Sequence, residues 1–146
     1  MTAAEMSPTR LPGADVPPGG PPPSAFRILA VDDNVDGVEM LADMLRLSGH
    51  DVLTVYDGPA ALAAAPSYRP DVVLLDIGLP GLDGYAVVQE LRKMPELRRT
   101  LLVALTGYGR EEDKRRSQRA GFHYHLIKPV DFDALQRLLA STESYL

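Results

Sequence analysis

The stretch that decides the fold is Asp71-Val72-Val73-Leu74-Leu75-Asp76-Ile77-Gly78-Leu79-Pro80-Gly81-Leu82-Asp83-Gly84-Tyr85. Four apolar residues run directly into the carboxylate of Asp76, and a turn rich in glycine and proline follows it. An apolar run that ends in turn residues is typical of a strand buried on both faces of a sheet. Tyr85, Val88 and Leu91 then recur at helical spacing. The stretch therefore predicts a buried strand, a loop that begins at Asp76, and a helix.

The same alternation of an apolar run and a helical pattern occurs five times, with strands predicted to begin near residues 28, 52, 72, 101 and 124. Pro66 is predicted to end the second helix, and the fourth helix is predicted to run from Arg110 to Ala120. This alternation predicts an α/β protein whose parallel sheet carries helices on both faces. Because right-handed crossovers leave few topologies, we predict a flavodoxin-like, doubly wound (βα)5 fold with a five-stranded parallel sheet in the order 2-1-3-4-5.

The first 25 residues differ in composition from the rest, because prolines and glycines dominate them. Such a segment has too few large apolar side chains to offset the entropy that is lost on ordering. We predict a disordered, partly polyproline-II tail over residues 1–25 and one domain over residues 26–143. A docking motif for a proline-reading domain is the alternative function of the tail.

Composition and charge exclude several classes of function. The 146 residues carry a net charge of −5, which argues against a general binder of nucleic acids or membrane surfaces. The absence of cysteine excludes disulfides, thiol catalysis and cysteine-based zinc sites. There is no membrane-spanning apolar run and no signal-peptide pattern, so we expect a cytoplasmic protein. We expect either a stand-alone protein or a piece of a longer one, and a dimer is compatible with both.

Polar residues follow four of the five predicted strands. Asp32 and Asp33 end the first strand, Asp76 the third, Thr106 the fourth and Lys128 the fifth. Taken singly, each has a structural explanation as an N-cap, a turn residue or a solvated lysine. In the predicted topology, however, the carboxyl ends of these strands meet in one crevice, where doubly wound folds bind their ligands.

The combination of these residues suggests phosphoryl chemistry. Three carboxylates in one crevice repel one another, and a hard divalent cation such as Mg²⁺ removes that repulsion. A carboxylate can act as a nucleophile toward phosphorus and become an aspartyl phosphate. A metal, a lysine ammonium and a hydroxyl donor would stabilise the charge on the phosphoryl oxygens. We therefore interpret Asp76 as the reactive carboxylate, with Asp32, Asp33, Thr106 and Lys128 as its supporting groups.

These residues lie in segments that resemble the receiver domain of two-component response regulators. The segments are Val31-Asp32-Asp33-Asn34, Leu74-Leu75-Asp76-Ile77-Gly78-Leu79-Pro80-Gly81-Leu82-Asp83-Gly84, Ala104-Leu105-Thr106-Gly107-Tyr108 and Leu126-Ile127-Lys128-Pro129. The resemblance covers the chain from about Phe26 to Leu139. Within it, the sequence is most similar to that of receivers appended to hybrid histidine kinases. It implies a phosphorelay module, not an enzyme, which catalyses only its own phosphorylation and dephosphorylation. Its partners would be a histidine kinase or histidine phosphotransfer protein and a downstream protein target.

The resemblance also implies a role for each residue at the acidic end of the site. Asp76 would accept the phosphoryl group from a phosphohistidine. Asp33 would bind Mg²⁺ directly, Asp32 would act partly through water, and the backbone carbonyl of Gly78 would be a further ligand. Gly78 and Tyr108 flank the path of the attacking water in the family. Because Gly78 has no side chain and Tyr108 is bulky, both are expected to tune the lifetime of the aspartyl phosphate.

The remaining implied roles concern the switch and the output surface. Thr106 would move to form a hydrogen bond with the phosphoryl group, and Lys128 would form an ion pair with it. The Lys128–Pro129 peptide bond would be cis. The aromatic switch position is His125, where the family usually has tyrosine or phenylalanine, and a histidine there would add pH sensitivity. The fourth helix, fifth strand and fifth helix would form the face that meets partners.

Three alternatives stay open from the residues alone. An aspartyl-nucleophile phosphatase or phosphotransferase on the same fold would have Asp-x-Asp after the first strand, whereas Asp32 and Asp33 are adjacent. A flavin mononucleotide binder would have a phosphate loop there, and two carboxylates would repel a phosphate. A phosphorylation-independent interaction module would not require the complete set of reactive residues.

Overall fold

The computed structural model describes residues 9–10, 25–107 and 111–142. Within these ranges the strands are β1 (Thr9–Arg10), β2 (Arg27–Val31), β3 (Asp51–Val55), β4 (Val72–Asp76), β5 (Leu101–Thr106) and β6 (Tyr124–Ile127). The helices there are α1 (Val35–Leu47), α2 (Gly58–Tyr68), α3 (Gly84–Arg92), α4 (Glu111–Ala120) and α5 (Phe132–Thr142), with a 3₁₀ turn at Pro95–Leu97. None of the described helices is long and apolar enough to cross a membrane.

The sheet has the order β1-β6-β5-β4-β2-β3. The strands β2 to β6 are all parallel, and their order is the predicted 2-1-3-4-5 when the five are counted along the chain. The predicted fold class is therefore confirmed. The antiparallel pairing of β1 with β6 was not predicted.

Two hydrophobic cores lie on opposite faces of this sheet. The strands β4 and β5 are buried over their whole length, because helices cover both of their faces. Side chains that alternate along β2 and β4 enter different cores: Leu29 and Leu75 pack with α2 and α3. Ile28 and Leu74 pack with α1 and α5. This three-layer packing fixes the carboxyl ends of the strands relative to one another.

Side-chain caps determine where three of the helices begin. Asn34, Asp57 and Asp83 each precede a helix and accept a hydrogen bond from a backbone N–H in its first turn. The cap of α1 is Asn34, which accepts from the Gly37 N–H at 3.2 Å. The possibility that Asp32 and Asp33 serve only as N-caps is therefore wrong for α1.

The helix α2 corrects one prediction, because it continues through Pro66 to Tyr68. Pro66 lies in the last turn, where its fixed φ is compatible with a helix and only one internal hydrogen bond is lost. The helix ends at Arg69, which has a left-handed conformation with φ of 52°. Pro70 follows Arg69 and disfavours a further helical residue before it.

The predicted tail falls mostly outside the described residues, and so does Tyr108. Within that tail, Thr9 lies opposite His125 and Arg10 opposite Tyr124 in the ladder between β1 and β6. An extended segment can pair with the open edge of a sheet because that edge has unused N–H and C=O groups. These two residues therefore form a strand, whereas the sequence predicted a disordered, partly polyproline-II tail.

Candidate functional site

The candidate site lies at the carboxyl ends of β2 and β4, where three carboxylates converge. One carboxylate oxygen from each of Asp32, Asp33 and Asp76 lies within 4.8 Å of the others. Asp32 and Asp76 are buried, at 6% and 7% exposure, whereas Asp33 is exposed. The buried carboxylates are held by apolar strands, and the exposed one leaves the cluster open to solvent.

Lys128 reaches into this cluster from the end of β6. Its Nζ lies 2.6 Å from Oδ2 of Asp32 and 3.3 Å from Oδ2 of Asp76. Burial lowers the pKa of Lys128, but the hydrogen bond and charge of Asp32 and the charge of Asp76 outweigh burial and leave that pKa raised. Lys128 therefore stays charged and partly neutralises two carboxylates.

Asp76 has the environment of a carboxylate that is poorly compensated. Burial raises its pKa most, and the hydrogen bond from the Gly78 N–H opposes that rise. The charge of Asp32 raises the pKa further, and Lys128 lowers it. An additional positive charge, such as a metal cation, would therefore be favoured beside Asp76.

The loop after β4 is shaped by two glycines. Gly78 donates its N–H to Oδ1 of Asp76 at 2.9 Å. Asp76 therefore also acts as a turn residue that accepts a hydrogen bond from a backbone amide of its loop. A Cβ on Gly78 would lie 3.4 Å from that oxygen and would meet no other atom within 4 Å. Gly84 is different, because a Cβ there would lie 2.4 Å from Ile77 Cα and 2.7 Å from the Asp76 carbonyl oxygen. Only glycine lets α3 begin so close to the end of β4.

The predicted switch residues are both buried. Thr106, at the end of β5, is 3% exposed, and its carbonyl accepts a hydrogen bond of 2.7 Å from the Lys128 N–H. His125 is 2% exposed within β6, one residue after Tyr124, which belongs to the core beside α1 and α5. The Lys128–Pro129 peptide is cis, as predicted.

The carboxylate cluster fits a hard divalent cation. Carboxylate oxygens are the ligands that Mg²⁺ takes in proteins, and the ion retains several waters, for which the exposed side at Asp33 leaves room. The open space above Gly78 lies on the same side as the Asp76 carboxylate oxygen. The residues present could therefore hold a metal ion through Asp32, Asp33 and Asp76.

The structure brings Asp32, Asp33, Asp76 and Lys128 together, as the sequence predicted, but three features of the site were not predicted. The short ion pair between Lys128 and Asp32 was not predicted, because the sequence does not show which carboxylate the Lys128 ammonium contacts. The cap at Asn34 could have been found, since asparagine before a helical pattern is an N-terminal signal. The role of Gly84 depends on a tertiary contact that no local pattern indicates.

Comparisons with known proteins agree with this geometry. The profile of the response regulator receiver domain matches residues 28–140. Protein PilH of Pseudomonas aeruginosa is 37% identical over 113 residues, which is 77% of this chain and 93% of PilH. The receiver domain of sensor histidine kinase PA1611 from Pseudomonas aeruginosa has a crystal structure with magnesium coordinated in its active-site cleft. This chain is 35% identical to it and superposes on it with a TM-score of 0.74, and the match covers 82% of this chain and 98% of that one. Chemotaxis protein CheY4 of Vibrio cholerae is 30% identical with a TM-score of 0.75, covering 80% of this chain and 97% of that one.

Proposed function

The chain belongs to the family of response regulator receiver domains, and on that premise we propose that Asp76 accepts a phosphoryl group from a phosphohistidine in the presence of Mg²⁺. Receiver domains are signalling modules of two-component systems, not metabolic enzymes. The observation that carries the proposal is the convergence of three carboxylates and the Lys128 ammonium at the end of β4. The only chemistry proposed is the formation and hydrolysis of the phosphoryl group on Asp76 itself.

The transfer step balances with the residues at the site. An oxygen of Asp76 bonds to phosphorus while the phosphorus–nitrogen bond breaks, and the donor imidazole leaves with that electron pair. Lys128 is already 3.3 Å from Oδ2 of Asp76, so it is positioned to pair with the phosphoryl oxygens. Thr106, at the neighbouring strand end, would donate its hydroxyl to them. Mg²⁺ on Asp32, Asp33, Asp76 and the Gly78 carbonyl would supply further positive charge.

The lifetime of the phosphoryl group is proposed to depend on Gly78 and Tyr108. The space above Gly78 is open, because a Cβ there would touch only the Asp76 carboxylate. Water can approach phosphorus through such an opening. A larger side chain at residue 78 would restrict that approach and lengthen the lifetime.

The phosphodonor is proposed to bind beside α1. A largely apolar groove of about 480 Å³ begins at Asp32 and Lys128 and continues along this helix. Met40, which is 66% exposed, and Met44, which is 38% exposed, both line the groove. Exposed methionines at helical spacing suit docking against a helix of another protein. A helix of a histidine kinase or phosphotransfer protein in this groove would bring its phosphohistidine to Asp76.

The signal is proposed to leave through α4, β6 and α5, with Thr106 and His125 as the switch residues. Thr106 ends β5 beside the site, and its carbonyl accepts a hydrogen bond from the Lys128 N–H, whereas His125 lies within β6, which is part of that face. The helix α4 presents a strongly charged sequence, which suits a polar partner protein rather than nucleic acid. The proposal places the protein in the cytoplasm, where histidine kinases have ATP.

Phosphotransfer from a panel of phosphorylated histidine kinases tests the proposal. Wild-type chain should take the label from at least one kinase, while Asp76→Asn should take none. Asp133→Asn, an exposed carboxylate on α5, is the matched control and should behave like wild type. Label on Asp76→Asn would refute the assignment of the residue. Steady-state hydrolysis of small phosphomonoesters would instead support the phosphatase alternative.

A further inference from the structure

The strand β1 occupies an edge of the sheet that the five parallel strands leave open. Among the strands that the structure describes, β6 would without β1 have one neighbour, which is β5. An open strand edge presents a row of unpaired N–H and C=O groups, to which another chain can add a strand. Thr9 and Arg10 fill that place by pairing antiparallel with His125 and Tyr124.

The backbone of His125 faces this edge. The Lys128 N–H donates to Thr106 in β5, so it points to the inner side of the strand. Amides alternate between the two sides of a strand that lies next to a parallel neighbour. The Leu126 amide therefore points toward β5, and the His125 amide points toward Thr9.

The sequence around β1 suits a short strand that the same chain supplies. Pro8 and Pro12 flank the pair, and since neither has an N–H, neither can donate to a ladder. Antiparallel pairing directs the chain after Arg10 toward the end of the sheet where β2 begins. Residues 11–24 can reach roughly 46 Å when extended. Four strand spacings need only about 19 Å.

We propose that Thr9–Arg10 is an intramolecular cover of the β6 edge, which a second polypeptide must displace before it can pair there. The cover competes by mass action, because a partner binds only the fraction of molecules in which the edge is open. An effect of this cover on signalling rests on the proposed function, in which β6 is part of the output face. The cover itself does not depend on phosphorylation.

Amide hydrogen exchange of the full chain, resolved by residue with NMR, tests the cover. A double variant with Thr9→Pro and Arg10→Pro removes both backbone N–H groups of β1. Without the Thr9 N–H, β1 can no longer complete its pairing with β6 and should detach. The His125 N–H then loses its acceptor across the edge and should exchange at least about tenfold faster. The Leu126 amide, which faces β5, should exchange at the wild-type rate.

A second double variant, Ala3→Pro with Ala4→Pro, is the matched control. It adds the same two prolines outside β1, and His125 should exchange in it as in wild type. Equal His125 exchange in wild type and in the Thr9 and Arg10 variant would overturn the proposal. Equal acceleration of His125 and Leu126 would also overturn it, because the effect would then belong to the whole sheet.

Phosphoryl uptake is measured on the same samples to separate the two proposals. Absence of uptake in all three chains would refute the proposed function of Asp76. The exchange rate of the His125 amide decides independently whether the edge is covered.

Discussion

Substitution of Gly84 by alanine should disturb the loop that holds the carboxylate cluster of Asp32, Asp33 and Asp76. The new Cβ would lie 2.4 Å from Ile77 Cα and 2.7 Å from the Asp76 carbonyl oxygen. Carbon atoms in contact prefer about 3.5–4.0 Å, so the loop and the start of α3 would have to separate by roughly 1 Å. Both obstacles are backbone atoms and cannot rotate away as a side chain would.

The structure gives the expected size of this effect. Overpacking of this kind costs about 1–3 kcal/mol, and the preference of helices for alanine returns less than about 1 kcal/mol. We expect a net loss of about 1–2 kcal/mol, which lowers the urea midpoint by roughly 0.5–1 M for a typical slope of about 2 kcal/mol/M. Because the displaced loop carries the Gly78 amide that bonds Asp76, Mg²⁺ affinity should also fall by at least about tenfold.

Urea unfolding followed by circular dichroism, with calorimetric titration of Mg²⁺, measures both effects. Gly107→Ala is the matched control, because a Cβ at Gly107 would meet nothing within 4 Å. Its free energy of unfolding should stay within about 0.5 kcal/mol of wild type. A Gly84→Ala variant with the wild-type midpoint and Mg²⁺ affinity would refute the argument that close approach at this glycine sets the loop.

Three further substitutions test separate parts of the account. Asn34→Ala removes the cap of α1 and should cost about 1 kcal/mol in urea unfolding, whereas Asn34→Ser should retain most of the stability. Asp33→Asn removes an exposed carboxylate from the cluster and should weaken Mg²⁺ binding about tenfold in calorimetry; unchanged affinity would exclude Asp33 as a ligand. Lys128→Met leaves Asp32 and Asp76 without their cation. Because the ion pair of Lys128 with Asp32 is mostly buried, this change should lower the free energy of unfolding in the absence of metal by about 1–3 kcal/mol. The same change at Lys93, whose ion pair is exposed, should cost less than about 1 kcal/mol, and equal losses at both lysines would contradict the argument.

The fold could be predicted because its strands are buried on both faces. Val72 to Leu75 and Leu101 to Leu105 are continuous apolar runs, which central parallel strands require and few other elements tolerate. The rule that ligands lie beyond the carboxyl ends of strands then placed Asp32, Asp76 and Lys128 together. Topology alone thus brought distant residues into one site.

Of the three features that the sequence did not predict, one depends on position within a helix and two depend on tertiary contacts. Pro66 stays in α2 because it lies in the last turn, where the loss of one hydrogen bond is small. The pairing of Thr9 with His125 joins segments far apart in the chain, and two residues carry no periodic signal. The restriction at Gly84 arises from the backbone of Ile77, which approaches only in the folded chain.

The most direct test of the central claim locates the phosphoryl group after reaction with acetyl phosphate and Mg²⁺. The account predicts that intact-mass analysis shows one added phosphoryl group, and that borohydride reduction followed by peptide sequencing places it on Asp76. The Asp76→Asn variant should add none under the same conditions. A phosphoryl group on any other residue of the wild-type chain, or undiminished labelling of Asp76→Asn, would contradict the account.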